Sequence, residues 1–202
     1  LDEIQQGKLK KKVWIILLIV LVLCLVGGAT YYKIQQDTKE KELYAKVLGL
    51  GAPDMKAEVS FSALLIDNYS KVWSNAIDRR KDFSEAIYEF QNGDYAQKIL
   101  VGLDEGEERI KENMRYLQNS PKEYSESYEI LKEMYSVYTQ LLEQAQSPSG
   151  SLREFNRKTS EYYEEYLKLE NEFYISIPKE IDVLKTEFME MEWTREDLGI
   201  FQ

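Results

Sequence analysis

The chain has 202 residues, 44% of them apolar and 31% charged, with only four prolines and ten glycines and a net charge of −10. This composition excludes wholesale disorder and disfavours a sandwich of many short strands, which needs denser turn punctuation. Its negative charge argues against nucleic acid and anionic lipid headgroups as partners.

The first twelve residues carry Lys8, Lys10, Lys11 and Lys12 against Asp2 and Glu3. From Val13 to Ala29 the sequence reads VWIILLIVLVLCLVGGA, and no charge follows until Lys33. Twenty uncharged residues, 13–32, span roughly 30 Å as a helix, the thickness of a hydrocarbon core. Trp14 at one end and Tyr31 and Tyr32 at the other are placed as interfacial anchors. The preceding lysines predict a cytoplasmic basic tail (1–12), a transmembrane helix (13–32) and an extracytoplasmic remainder. A cleaved signal peptide is the rival reading, because Gly27-Gly28-Ala29 fits a small-residue cleavage site. Lipidation at Cys24 is disfavoured by Leu23, which is not small. Cys24 and Gly28 have the small-xxx-small spacing of close membrane-helix contacts, which leaves homo-oligomerisation open.

Residues 33–53 are expected to form a stalk ending in a hinge, since Gly49-Leu50-Gly51-Ala52-Pro53 concentrates helix breakers. A helical bundle follows over 54–191. Its first helix is expected to run from Pro53-Asp54 to Asn92-Gly93, with a stripe at Phe61, Leu65, Tyr69, Val72, Ala76, Phe83, Ile87 and Phe90. A second starts near Asp94 and carries Ile99, Leu103, Gly106, Ile110, Met114 and Leu117. Ser120-Pro121-Lys122-Glu123 reads as a capping box that opens a third helix with Tyr124, Tyr128, Leu131, Tyr135, Tyr138, Leu142 and Ala145. Ser151 and Glu154 form a second box before a fourth helix with Phe155, Tyr162, Tyr166, Leu169 and Phe173. Pro178 introduces a short fifth segment, Ile181 to Met191, expected to pack against residues 54–68. Short connections make consecutive helices antiparallel. The expected fold is all-α: one N-terminal transmembrane helix plus an extracytoplasmic up-down antiparallel bundle, with a C-terminal tail at 192–202.

Histidine is absent, which removes the commonest general base and metal ligand. The acidic clusters match neither a di-iron bundle nor an EF-hand loop and read as solvated helix faces. No nucleotide-binding glycine loop and no serine–lysine frame occurs. No catalytic residue, metal ligand or cofactor site is therefore expected. The 15 tyrosines stand out. Tyr124, Tyr128, Tyr135 and Tyr138 share a helical face, and Tyr162 and Tyr166 follow on the next helix. With Trp193 and Phe201 of the tail they are the candidate partner or ligand surface, although a core seam with hydroxyls at its rim accounts for the same spacing. Asn68-Tyr69-Ser70 fits a glycosylation sequon, but within a helix.

These features point to a membrane-anchored, non-enzymatic binding or assembly module of a bacterial cell envelope. The expected partners are the bilayer, through residues 13–32, and another membrane or envelope protein. A ligand-sensing ectodomain and an immunity or exclusion protein are the alternatives.

Overall fold

The computed structural model describes the backbone of residues 2–178 and of Ile181, and side chains from Lys33 onward with the exception of Ile34. The described residues are all-helical: α1 (Asp2–Asp78), α2 (Phe83–Gln91), α3 (Asp94–Tyr116), a 3-10 turn (Lys122–Tyr124), α4 (Ser125–Gln146) and α5 (Leu152–Ser176). The chain divides into two compact units, Leu1–Leu43 and Tyr44–Gln202. In the first unit residues 2–43 are helical, and the side chains of Val13–Ala29 lie outside those described. Among the described residues no helix is long and apolar enough to cross a membrane.

The second unit is the bundle, and it begins at Tyr44 rather than at residue 54. The hinge expected over 49–53 does not form there: α1 runs through it, with Pro53 inside the helix. The reason lies in the buried face of α1. Leu48, Ala52, Met55, Val59, Ser62, Ile66, Tyr69, Trp73 and Ala76 are all buried, and they alternate at spacings of four and three, the repeat of a bundle seam. Pro53 withholds one backbone donor, a loss of roughly 3 kcal/mol in a helix interior. Leu48, Met55 and Val59, packed on either side of it, each recover about 1.5–3 kcal/mol through burial, so packing wins. The glycines serve close approach instead of bending. A Cβ at Gly51 would stand 2.8 Å from Leu131 Cδ2, and one at Gly49 would stand 2.7 Å from Ile181 Cγ2.

The first bundle helix is also shorter at its far end than expected, because the chain reverses at 79–82. Arg80 takes a left-handed conformation (φ 52°). Its N–H donates to Ile77 O, and that of Lys81 donates to Ala76 O at 2.9 Å. This pair of bonds is a Schellman stop, with an arginine where glycine is usual. Asp82 then caps α2, its carboxylate accepting from Ser84 N (2.8 Å) and Glu85 N (3.1 Å). Phe83 packs beside Trp73 and Phe90 beside Tyr69, so α2 runs back along α1.

The contacts between helices fix the topology. Tyr69 meets Gln91, Glu58 meets Arg109, and Tyr44 meets Leu117, so α2 and α3 together form a descending leg antiparallel to α1. Asp104 pairs with Gln146, which sends α4 back up. Ser127 pairs with Ser176, and Gln144 with Thr159, which places α5 antiparallel on α4. The result is an up-down antiparallel bundle of four legs.

Of the two expected capping boxes, one is half present: Ser151 Oγ accepts from Glu154 N at 3.3 Å. The other stands outside α4. Ser120 Oγ donates to the neighbouring Pro121 carbonyl, and the chain makes a 3-10 turn before α4. Pro121 there is extended (ψ 148°), which sets it outside the helix. At the other end Ile181 is buried in the core beside Gly49, below the stretch 54–68 expected to receive it. Residues 182–191 of that segment, and the tail, lie outside the described residues.

Candidate functional site

Two places in the bundle break the rule of apolar inside and charged outside. The first is halfway up. Glu58 of α1 is buried between α3 and α4, where Gly106 of α3 leaves it room. A Cβ at Gly106 would collide with the Glu58 carboxyl group, whereas one at Gly102, a turn earlier, would meet nothing. Arg109 reaches Glu58 Oε1 at 3.2 Å and lies 3.8 Å from Asp54 Oδ2, and Asn113 Nδ2 donates to the same Asp54 oxygen at 3.4 Å. Glu58 Oε2, Ser62 Oγ and Tyr138 Oη are buried without a hydrogen-bond partner.

Desolvation raises the Glu58 carboxyl to about 7, against the opposing pull of Arg109. Asp54 is raised for the same reason, again opposed by Arg109. Burial drives the Tyr138 hydroxyl far above the usual phenol value, and the nearby Glu58 adds to this. A carboxyl poised near neutrality can hold or release a proton. A second buried acid, Glu170 of α5, lies 2.9 Å from Lys56 Nζ, but its Oε1 lacks the alignment of a hydrogen bond.

The second place is the tip. Trp73 is buried, and its indole stacks on the ring of Phe83 at 5.0 Å and 11°. Phe83, Tyr88 and Ile77 are 41%, 67% and 53% exposed. Trp73, Phe83, Ile87 and Tyr88 form one wall of a hollow of about 470 Å³, with Gln91 at its edge and the Pro148–Gly150 turn opposite. The Schellman stop creates this hollow, since it ends α1 just beyond Trp73 and folds Phe83 back on top of it. Arg79, Arg80 and Lys81, all exposed, form the stop itself. An open aromatic wall of this kind can hold an apolar group.

No protein family, curated protein or solved structure matches the chain. The site must be read from its own geometry.

The structure distributes the tyrosines singled out by sequence as packing. Tyr128, Tyr138 and Tyr166 are buried. Tyr124 stacks on Tyr44 at 5.5 Å, and Tyr135 is half-buried with its ring 6.0 Å from that of Tyr138. The Tyr166 hydroxyl points to Ala52 O at 3.5 Å. Tyr162 lines a polar hollow of about 180 Å³ between α4 and α5, with Gln144 and Lys158. These residues meet as a seam through the bundle and not as one open groove. Trp193 and Phe201 lie outside the described residues. Among the described residues no group of three or more acidic or cysteine side chains could hold a metal. The sequon residue Asn68 donates to Leu64 O within α1, and Tyr69 beside it is buried.

Sequence reasoning missed Glu58, Arg109 and the Trp73–Phe83 pair. Two signals were present. Glu58 is a polar residue adjoining the buried seam of α1 and Ser62 a polar residue on it, and Asp82-x-x-Glu85 marks a helix start inside the assumed long helix. Nothing local marks the pairing of Gly106 with Glu58.

Proposed function

We propose that this chain is a membrane-anchored, non-enzymatic binding or assembly module whose bundle lies outside the cytoplasm and presents its tip to another envelope protein. The observation that carries the reading is the tip itself: an aromatic hollow whose lining includes the exposed Phe83 and Tyr88, reached by a chain reversal that carries the exposed Arg79, Arg80 and Lys81. Exposed aromatic groups cost solubility and cluster where proteins meet. The anchor rests on the uncharged stretch from Val13 to Tyr32 and the four lysines before it. The buried Glu58 supports a structural role more than a catalytic one, since it is only 5% exposed and neither hollow includes it.

Purification of the full chain from detergent, with quantitative mass spectrometry, tests this. A stoichiometric membrane or envelope partner is expected, and the Tyr88→Asp variant should lose it at unchanged thermal stability. Retention of the partner by Tyr88→Asp, or purification as a lone chain, would overturn the assignment of the tip.

A further inference from the structure

The seam between α1 and α3 is built from polar groups whose charges do not balance. Asp54, Glu58 and Ser62 follow one another at four-residue spacing, so they form one row along α1. Gly106, Arg109 and Asn113 form the facing row on α3. Asn113 and Arg109 reach Asp54, Arg109 also reaches Glu58, and Gly106 abuts the Glu58 carboxyl group. Two carboxyl groups therefore share one guanidinium.

The other elements around Glu58 bring no second counter-charge. On α3, Glu107 is itself acidic and pairs with Lys111. From α4 come Tyr138 and, beside it, Tyr135. The buried acid of α5, Glu170, lies against Lys56, and Lys56 is two residues from Glu58 and so on another side of α1. With Asp54 and Glu58 both ionised, the seam holds one negative charge in excess. Asp54 keeps some water, at 20% side-chain exposure, whereas Glu58 is at 7%. Glu58 Oε2 receives no hydrogen bond, and the buried hydroxyls of Ser62 and Tyr138 are also unpartnered. An ionised oxygen left so is costly, and the neutral acid escapes most of that cost. The rise of the Glu58 carboxyl to about 7 through burial agrees with this.

Of the surrounding helices, α3 is the one built to yield. Its Arg109 is already half-exposed, so a small outward shift of α3 brings water to the pair. The α3 face at Gly102 meets nothing, and its N-cap, Gly93, makes no side-chain bond. By contrast α4 and α5 are tied together at both ends, through Ser127 with Ser176 and Gln144 with Thr159.

We propose that Glu58 is a proton-operated latch: while it holds its proton α3 lies closed on α1, and when it ionises α3 loosens while α1, α4 and α5 remain assembled. Closure is fullest below pH 4.5 and weakens as pH rises toward 7, because the closed form binds the proton more tightly than the open one. The latch is independent of the reading of the tip.

Distances between paired nitroxide labels, measured by pulsed electron resonance on the full chain in detergent, test this. One pair joins α1 to α3, with Ser60→Cys and Glu105→Cys, and a control pair joins α1 to α5, with Ser60→Cys and Glu164→Cys, both in a Cys24→Ser background. Between pH 5 and pH 8 the α1–α3 pair should gain a longer component whose fraction rises about tenfold or more. The control distance should stay unchanged, and return to pH 5 should restore the single short distance. Glu58→Gln should hold the α1–α3 pair at the short distance throughout. An α1–α3 distance that ignores pH overturns the proposal, and this comparison does not depend on how the Glu58 variant folds. Equal lengthening of the control pair also overturns it, since the whole bundle would then be opening. So does a pH response that survives Glu58→Gln or fails to reverse.

Discussion

The middle and the tip of the bundle each depart from the ordinary pattern, in opposite senses. Around Glu58 a charge sits inside, and around Phe83 and Tyr88 apolar rings sit outside. The interior departure is bound into its surroundings: Gly106 makes the space, Arg109 supplies the counter-charge, and Tyr138 crowds it from α4. The tip departure has no such closure among the described residues, because the rim of the hollow is solvent. A buried polar group held by several helices tunes how the bundle fits together, whereas an uncovered aromatic face is free for contact.

The largest expected effect tests the middle. The folded-state value of Glu58 is raised from 4.5 to about 7, so the folded chain retains a proton that the unfolded chain has already lost. The contribution of this group is therefore fullest below pH 4.5 and declines as pH rises toward 7, with a limiting slope of about 1.4 kcal/mol per pH unit. Asp54 is raised as well and adds to the same trend. Denaturant unfolding of the wild type should show stability falling between pH 5 and 7. Glu58→Gln should flatten that profile and stabilise the protein at pH 8 by about 1–3 kcal/mol, since it removes a poorly solvated charge. A parallel fall in the variant would remove Glu58 as the cause.

A smaller effect separates two glycines on α3. Gly102→Ala faces open space and should raise stability by about 0.5–1 kcal/mol through helix propensity. Gly106→Ala collides with the Glu58 carboxyl and should lower stability by about 1–2 kcal/mol despite the same propensity gain, because the displaced acid loses Arg109. Thermal melts of the two variants should move in opposite directions.

The smallest effect tests the tip. Arg80 occupies a left-handed conformation that a side chain disfavours by about 1–2 kcal/mol. Arg80→Gly should stabilise the bundle by roughly 0.5–1 kcal/mol, part of the relief being offset by the greater freedom of glycine in the unfolded chain. Partner binding should nevertheless weaken, since one of the three cations at the stop is lost. Destabilisation by Arg80→Gly would contradict the Schellman geometry.

Much of the fold could be read from the sequence, with two instructive exceptions. The helix starts at Asp94 and Leu152 follow from local chemistry, from turn residues in one case and a serine cap in the other. The hinge expected at 49–53 does not form because the apolar seam of α1 crosses its glycines and proline. Leu48, Ala52, Met55 and Val59 keep the alternation of four and three straight through Pro53. The first bundle helix ends before residue 92 for the converse reason. Its apolar spacing continues past residue 79, but an arginine in a left-handed conformation leaves no local mark. The candidate tyrosines were legible as a seam, and the seam is where Tyr128, Tyr138 and Tyr166 lie.

By itself the sequence determined the helical class, the number of bundle legs, the absence of histidine chemistry and the uncharged stretch near the N-terminus. These follow from composition and from periodicities that a helix imposes on its own residues. Only the tertiary structure decided that Glu58 lies inside, that a Cβ at Gly106 would displace it while one at Gly102 would meet open space, and that Phe83 folds back over Trp73 to open a hollow at the tip. Each of these depends on residues from different helices meeting at one place, and their separation along the chain carries no local signal of that meeting.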